Sequence, residues 1–519
     1  MRLGCVVAAA TTAACSAGGA MSIDLVLPED PALSPAGDQV AELTLVTWEP
    51  GQPPQSESRA VDDPGEGVDM GVLTAGREVG VAVELRSATQ RLLGYGASPL
   101  PVAPDRDDDT VVSLQVRRPY VYGAGAADHL DAFDSTLDPG DEGSFGSIAL
   151  AAPVASAVTA DGAELVVITA DGDTAAELHL VSTATHQPIE GAAVPITGPV
   201  SDLAVTADGS LAVVARDGES GGLIVVDLAA ARRGEAQVEE VALGAVGAVA
   251  LVQPAGGPAR AVALIDRSRA FGCDDALPAS SLAVVDLAAP DAGRSIDLAG
   301  PIADIAADLD AVYLADPCDG AIERLTDLPA GTPEALFALE AARAVAVQGG
   351  RVWGAGTVPL SGSDGARVVL TSSDPQGADM TSVSLPPAQE RARSTDFEGD
   401  DQRVEIVIEA DKLRPFELVA LPGGDLVALL TEGYFHSEEW TDIFGDPVVS
   451  EIELTTFEYL LVQASSRAVV HRLRTFCDGT ATSGATLENF ECGEQSDQHV
   501  LDDPDMYRPL QLSAIYGGR

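Results

Sequence analysis

The chain has 519 residues, 81 of them acidic and 29 basic, for a formal net charge of −52, and it is 46% hydrophobic but only 4% aromatic. That length allows two or three domains, with cores of Ala, Val and Leu rather than aromatic rings. The acid is spread along the chain as a solvated surface, and it excludes nucleic acid and anionic membrane surfaces as partners by repulsion. The single lysine, Lys412, removes Schiff-base chemistry and a Gly-Lys-Ser/Thr phosphate loop from consideration.

Residues 1–20 read as an export signal. Arg2 supplies the positive start, and Leu3 to Ala14 is an apolar stretch too short to span a bilayer. TAAC, ending at Cys15, resembles a bacterial lipobox, with Thr12 where that pattern usually has Leu. The resemblance implies that Cys15 is diacylated and that the lipid is the only membrane attachment. The competing reading is plain cleavage near Ala20. With the signal gone, Cys273, Cys318, Cys477 and Cys492 remain, an even number that suits two disulfides in an oxidising compartment. No CxxC spacing favours zinc.

Residues 22–116 carry apolar runs separated by Pro, Gly and Asp clusters. VAVEL and RLLGYG form a predicted hairpin, and the segment reads as a small β-sandwich of immunoglobulin or transthyretin type. PDRDDDT, from Pro104, is assigned to the turn of its last hairpin.

Residues 117–519 repeat. ASAVTADGAELVVITADG (from Ala155) and SDLAVTADGSLAVVARDG (from Ser201) each give strand, Ala-Asp-Gly turn, strand. LIVVDLA and LAVVDLA supply third strands; EVALGA, SIDLAG, LFALEA and SVSLPP supply fourth strands. Four short strands recurring in this way predict an all-β propeller. PEALFALEAARAVAVQ tempts as a helix, but the repeat frame makes it strands. Units start near Ala155, Ser201, Val246, Ile302, Ala342 and Arg414, after a partial unit (PYVYGAG, HLDAFDSTL, FGSIALAAP) that lacks its innermost strand. The chain ends on RPLQLSAIYGG, which repeats the inner strand RPFELVALPGG from Arg414. The C-terminal strand is therefore expected to complete the first blade and close a seven-bladed ring. The Ala-Asp-Gly turns and VVDL strands resemble YVTN, or lactonase-type, propellers of exported bacterial proteins. The resemblance implies a fold, and no residue matches the family's catalytic groups.

Tempting motifs resolve into structure. GESGG (Gly218–Gly222) matches a nucleophile elbow, but Ser220 falls between two strands of one blade. HSEEWTD places His436, Glu438, Glu439, Trp440 and Asp442 in a long loop, the candidate ligand-binding residues, with Trp440 able to stack on a sugar or a peptide side chain. No metal or catalytic residue is assigned. No cofactor is expected, and a divalent cation has no motif to support it. The long insertions, around Cys273 and Cys318, at Pro359, after His436, from Gln389 and between Cys477 and Asp505, all map to one propeller face. Cys273 and Cys318 lie in equivalent loops of adjacent blades, so Cys273–Cys318 and Cys477–Cys492 are the expected bridges. The reading is a non-enzymatic binding or assembly protein of the bacterial cell envelope, an outer-membrane or surface lipoprotein, whose partner is a protein or glycan. Without the lipid it would be periplasmic or secreted. The alternatives are an exported propeller hydrolase of lactonase type and a purely structural envelope component.

Overall fold

The structure is a computed structural model. It describes residues 18–514 apart from 36–38, 49–54, 61–67, 75–77, 99–100, 104–109, 126–128, 138–144, 172–174, 219, 255–256, 268–272, 274–277, 291–292, 309, 329, 349, 360–365, 386–388, 395–403, 410–411, 423–425, 438–439, 442–446, 450–451, 464–467 and 482–508. The described residues are strands and turns, with one four-residue helix, Leu228–Ala231. None of the described helices is long and apolar enough to cross a membrane.

The N-terminal unit is a sandwich. One sheet orders Val68–Thr74, Gly18–Val26 and Thr110–Gln115, and the other orders Gln55–Ala60, Val40–Trp48, Gly80–Ser87 and Leu92–Ala97. Alternation puts Met21, Ile23, Leu43, Val81, Val83, Leu85 and Leu114 between them. Gly80–Ser87 and Leu92–Ala97 form the predicted hairpin. The last hairpin is a correction. Thr110–Gln115 does not fold back on Leu92–Ala97 but crosses to the other sheet, where it runs parallel to Gly18–Val26 from Met21↔Thr110 onward. Its one-sided burial fits either sheet, so alternation alone could not choose between them. Residues 104–109 themselves lie outside the described residues.

Antiparallel sheets follow: Val200–Val205, Leu211–Arg216, Gly222–Asp227 and Val238–Ala242, paired in chain order, are typical, while a single parallel pair, Ala366↔Lys412, joins the strands of the last two units into one sheet. The turn chemistry explains the repeat. Thr159 donates to Asp161 Oδ1 at 2.6 Å and accepts from Glu164 N at 3.0 Å, while Gly162 takes φ +67°. Thr206, Asp208 and Gly209 repeat this with 2.6 Å, 3.0 Å and +65°. A short hydroxyl, a carboxylate and a residue free to adopt positive φ are what such a turn requires. PEALFALEAARAVAVQ is strand, in Glu334–Ala338 and Ala344–Gln348.

Sheets stack face to face through aliphatic side chains. Ile168, Leu178 and Leu180 meet Leu203, Ile224 and Val226. Val213 and Leu223 meet Val249 and Ala263, and Val262 and Leu282 meet Ile305 and Leu314. Each fully buried Val, Leu or Ile among them contributes about 1.5–3 kcal/mol. The first strands adjoin in sequence: Pro153–Val158, Val200–Val205, Val246–Val252, Asp304–Ala307, Ala344–Gln348, Lys412–Ala420, Pro509–Ala514, and again Pro153–Val158. The chain is an all-β propeller preceded by a sandwich. Pro509–Ala514 pairs antiparallel with Tyr120–Gly125, the first strand after the sandwich, so residues from both ends of the propeller make one sheet. Ser513 Oγ lies 2.7 Å from Ser156 Oγ of the next sheet.

The sandwich is fixed to this first sheet. Tyr95 and Arg117 exchange backbone hydrogen bonds of 2.9 Å. The Arg117 guanidinium donates to the Val26 carbonyl and to Thr183 Oγ1, each at 3.3 Å, and Arg118 donates to the Ser34 carbonyl and Asp134 Oδ2, each at 2.6 Å. Leu33 packs with Tyr120 and Tyr122. His186 closes the junction, with Nε2 3.0 Å from the Tyr122 hydroxyl and its ring edge-on to Tyr120 at 4.7 Å.

Candidate binding face

The propeller's two ends differ. At one end the first and second strands are joined by the tight turns just described. At the other end stand the insertions. Leu426–Ser437, Ile452–Gln463 and Ala468–Ala481 run 12, 12 and 14 residues, against six in Leu211–Arg216. Their extra length lengthens the sheet, with residues 412–415 alongside as far as Tyr434, and ends in a three-stranded ribbon paired from Phe435↔Leu454 to Ser437↔Ile452 and on to Ala481. Lys412–Ala420 stays paired as far as Lys412↔Tyr434, so the last three residues of Leu426–Ser437, at about 3.3 Å each, run roughly 10 Å past it. Two hairpins stand beside it. Gln389–Ser394 pairs Val404–Glu409 in the connection from the preceding sheet, and Trp440–Thr441 pairs Pro447–Val449 in the connection between ribbon strands. Val404–Glu409 lies against both Leu426–Ser437 and Trp440–Thr441, so the two insertions meet.

The segment assigned to a long loop is therefore largely strand, a second correction. His436 is in the ribbon opposite Glu453, and Trp440 is in the short hairpin opposite Val449. Polar residues read as a loop, but backbone pairing with Ile452–Gln463 and Pro447–Val449 holds them in strands. Glu438, Glu439 and Asp442 lie outside the described residues, as do Cys15 and Cys492. Cys477 sits in the outer ribbon strand opposite Thr455.

Cys273 and Cys318 form a disulfide, with S–S 2.05 Å and Cα–Cα 4.8 Å. It joins the connection after Arg260–Ile265 to the one after Val312–Asp316 in the neighbouring sheet. Next to it is a group that sequence reasoning missed. Asp316, Asp319 and Glu323 each bring a carboxylate oxygen within 4.8 Å of the others. Asp316 Oδ1 accepts from Cys318 N at 2.7 Å and Asp319 N at 2.8 Å. Burial holds the carboxyl of Asp316 above its usual range, with repulsion from Asp319 adding to it despite those hydrogen bonds, and burial followed by repulsion from Asp316 and Asp319 does the same to Glu323. Oxygen donors grouped in this way are the type a hard cation takes. The spacing i, i+3, i+7 straddles a turn and matches no known loop motif, so it gave no signal.

The remaining motifs serve structure. In GESGG, a Cβ at Gly222, whose φ is +152°, would fall 2.1 Å from the Val241 carbonyl oxygen. The glycine is there for close backbone approach, and Ser220 sits in the connection between Leu211–Arg216 and Gly222–Asp227. His179 is held by Thr169 (3.1 Å) and Glu177 (3.3 Å), and His129 by Asp131 (3.3 Å).

These features define the class: a β-propeller with an N-terminal sandwich and an asymmetric, insertion-bearing face. The chain matches no protein family and no curated protein. Among solved structures it is similar to Kuenenia stuttgartiensis hydrazine synthase (16% identity, 59% of this chain and 70% of that one, TM-score 0.29). It is also similar to the dihydro-heme d1 dehydrogenase NirN (14%, 69% and 73%, 0.36) and to the RRP9 WD40 repeats (11%, 53% and 86%, 0.31). Likenesses of this degree carry no argument about function.

Proposed function

We propose that the protein is an exported, lipid-anchored, non-enzymatic binding or assembly protein, and that the insertion-bearing face of a seven-bladed propeller docks a protein or glycan of the cell envelope. The observation that carries this reading is the ribbon with its two adjoining hairpins on one face. Tolerated insertions would scatter over both ends of a propeller; these converge, and they stand on a rigid scaffold where binding segments belong. The disulfide supports the same reading, because it ties together loops of neighbouring sheets at the insertion-bearing end. The lipid anchor draws support from the first strand. Gly18, Gly19 and Ala20 pair with Thr74, Leu73 and Val72. Processing before Cys15 keeps those pairs, whereas cleavage after Ala20 removes them.

The test is capture from envelope extracts and on a glycan array, using soluble protein that starts at Ser16. A variant with 438–451 replaced by a short Gly-Ser turn is expected to keep its melting temperature and lose the captured partner. If the variant captures what the parent captures, the face assignment is wrong.

A further inference from the structure

The inner strands of the ring follow a polar pattern that identifies how the ring is fastened. Most of them begin with a bulge, as in the register shifts between Val200 and Asp202 and between Pro415 and Glu417. The position just after the bulge, or its equivalent, is alanine in three strands: Ala155, Ala248 and Ala344. It is polar in the other four: Asp202, Asp304, Glu417 and Gln511. Going round the ring, polar and alanine strands alternate.

Two of the polar residues make the same contact. Asp202 Oδ2 accepts from Val249 N at 2.8 Å, and Asp304 Oδ2 accepts from Val345 N at 3.0 Å. In each case the donor belongs to the next strand of the ring and follows that strand's alanine by one residue. These amides point off their own sheet's ladder, so the carboxylate satisfies a donor that the ladder cannot. Asp202 is 1% exposed and Asp304 0%, so each contact is a charge-assisted hydrogen bond away from water.

Glu417 is the third carboxylate in this register and is 1% exposed. The next strand of the ring is Pro509–Ala514, which adjoins Lys412–Ala420. The equivalent donor is the amide of Leu512, one residue after Gln511. We propose that the Glu417 carboxylate accepts a hydrogen bond from Leu512 N and so clasps the C-terminal strand from one side, while Ser513 and Ser156 hold it from the other. A ring with an odd number of inner strands cannot alternate perfectly, and the mismatch falls at this seam. The closing strand has a neutral glutamine where alanine would stand, so two buried carboxylates never occupy adjacent strands. The clasp makes the terminal strand a strap: releasing it strands a buried charge without its donor.

Amide hydrogen exchange at single-residue resolution tests this on the protein starting at Ser16. In the parent, Leu512 N–H is slow, as Val249 and Val345 are. Glu417→Ala speeds Leu512 exchange by about 10-fold or more, the range for losing a hydrogen bond to a charged group, and leaves Val249 unchanged. Asp202→Ala does the reverse. Glu417→Gln keeps a carbonyl acceptor and stays within about threefold of the parent. A Leu512 amide that exchanges freely in the parent, or at the parent rate in Glu417→Ala, overturns the proposal. Should Glu417→Ala not fold, the parent and Glu417→Gln rates decide it alone.

Discussion

Replacing His186 by asparagine should change how stability depends on pH. Burial against Tyr120 and Tyr122 lowers the imidazole pKa from 6.5 to about 4, and the carboxylates of Asp134 and Asp30 oppose this only in part. The ring is neutral in the folded protein, with Tyr122 hydrogen-bonded to Nε2. Because the folded pKa is the lower one, the unfolded chain binds the proton more readily. The penalty is absent above about pH 6.5, grows as pH falls and levels off below about pH 4. At pH 5, where most carboxylates are still ionised, it amounts to about 2 kcal/mol. Asparagine removes the titration and tolerates the φ of +50° at this position. It also gives up the edge-on ring contact, worth about 1 kcal/mol, and weakens the Tyr122 hydrogen bond by about 1 kcal/mol. The parent should therefore be about 2 kcal/mol more stable at pH 7.5, and the two proteins about equal at pH 5. Urea unfolding at both pH values, followed by intrinsic fluorescence and circular dichroism, measures this. A gap that stays constant between pH 7.5 and pH 5 would refute a neutral, buried His186.

Deleting residues 508–519 removes the strand paired with Tyr120–Gly125, exposing that strand's edge and the faces of the two neighbouring sheets; the truncated protein should aggregate or melt well below the parent, and unchanged solubility and melting would refute ring closure by this strand. Changing Cys273 and Cys318 together to serine opens a loop with a sequence separation of 45 and should cost about 2–4 kcal/mol in chemical denaturation, while non-reducing peptide mapping of the parent should recover that bridge and a Cys477–Cys492 bridge. Cys15→Ser in the full chain should abolish palmitate incorporation and detergent partitioning; a variant that partitions like the parent would remove the lipid anchor from the proposal.

The parts of the fold that were legible in the sequence are those enforced by local chemistry. A Thr-Ala-Asp-Gly turn advertises itself because its hydroxyl, carboxylate and positive φ all lie within a few residues. The closing strand was legible because RPLQLSA copies RPFELVA, and a copy of an inner strand has one vacant place to go. Cys273 and Cys318 were legible as a pair once the repeat frame put them in equivalent loops. What depends on distant partners was not. HSEEWTD read as a long loop because its residues are polar, and only pairing with Ile452–Gln463 and with Pro447–Val449 puts His436 and Trp440 in strands. The junction histidine gains its meaning from Tyr122, 64 positions away. Thr110–Gln115 shows the same limit, because its alternation specifies a buried face but not a neighbour. The carboxylate group beside Cys318 and the alternating Asp–Ala register appear only when residues from different turns or sheets are set side by side.

The sheet shared by Tyr120–Gly125 and Pro509–Ala514 also fixes the order of assembly. As the chain emerges N-terminus first, Tyr120–Gly125 appears early and waits through almost four hundred residues for its partner. Every other blade can complete itself soon after it emerges, but the ring stays open until the last dozen residues arrive. Through that interval the unpaired edge of Tyr120–Gly125 and the uncovered faces beside it meet the solvent. A net charge of −52 keeps such half-built chains apart from one another, because each repels its neighbours as strongly before closure as after it. The acidic composition thus opposes association of such chains while they are being made as well as afterwards.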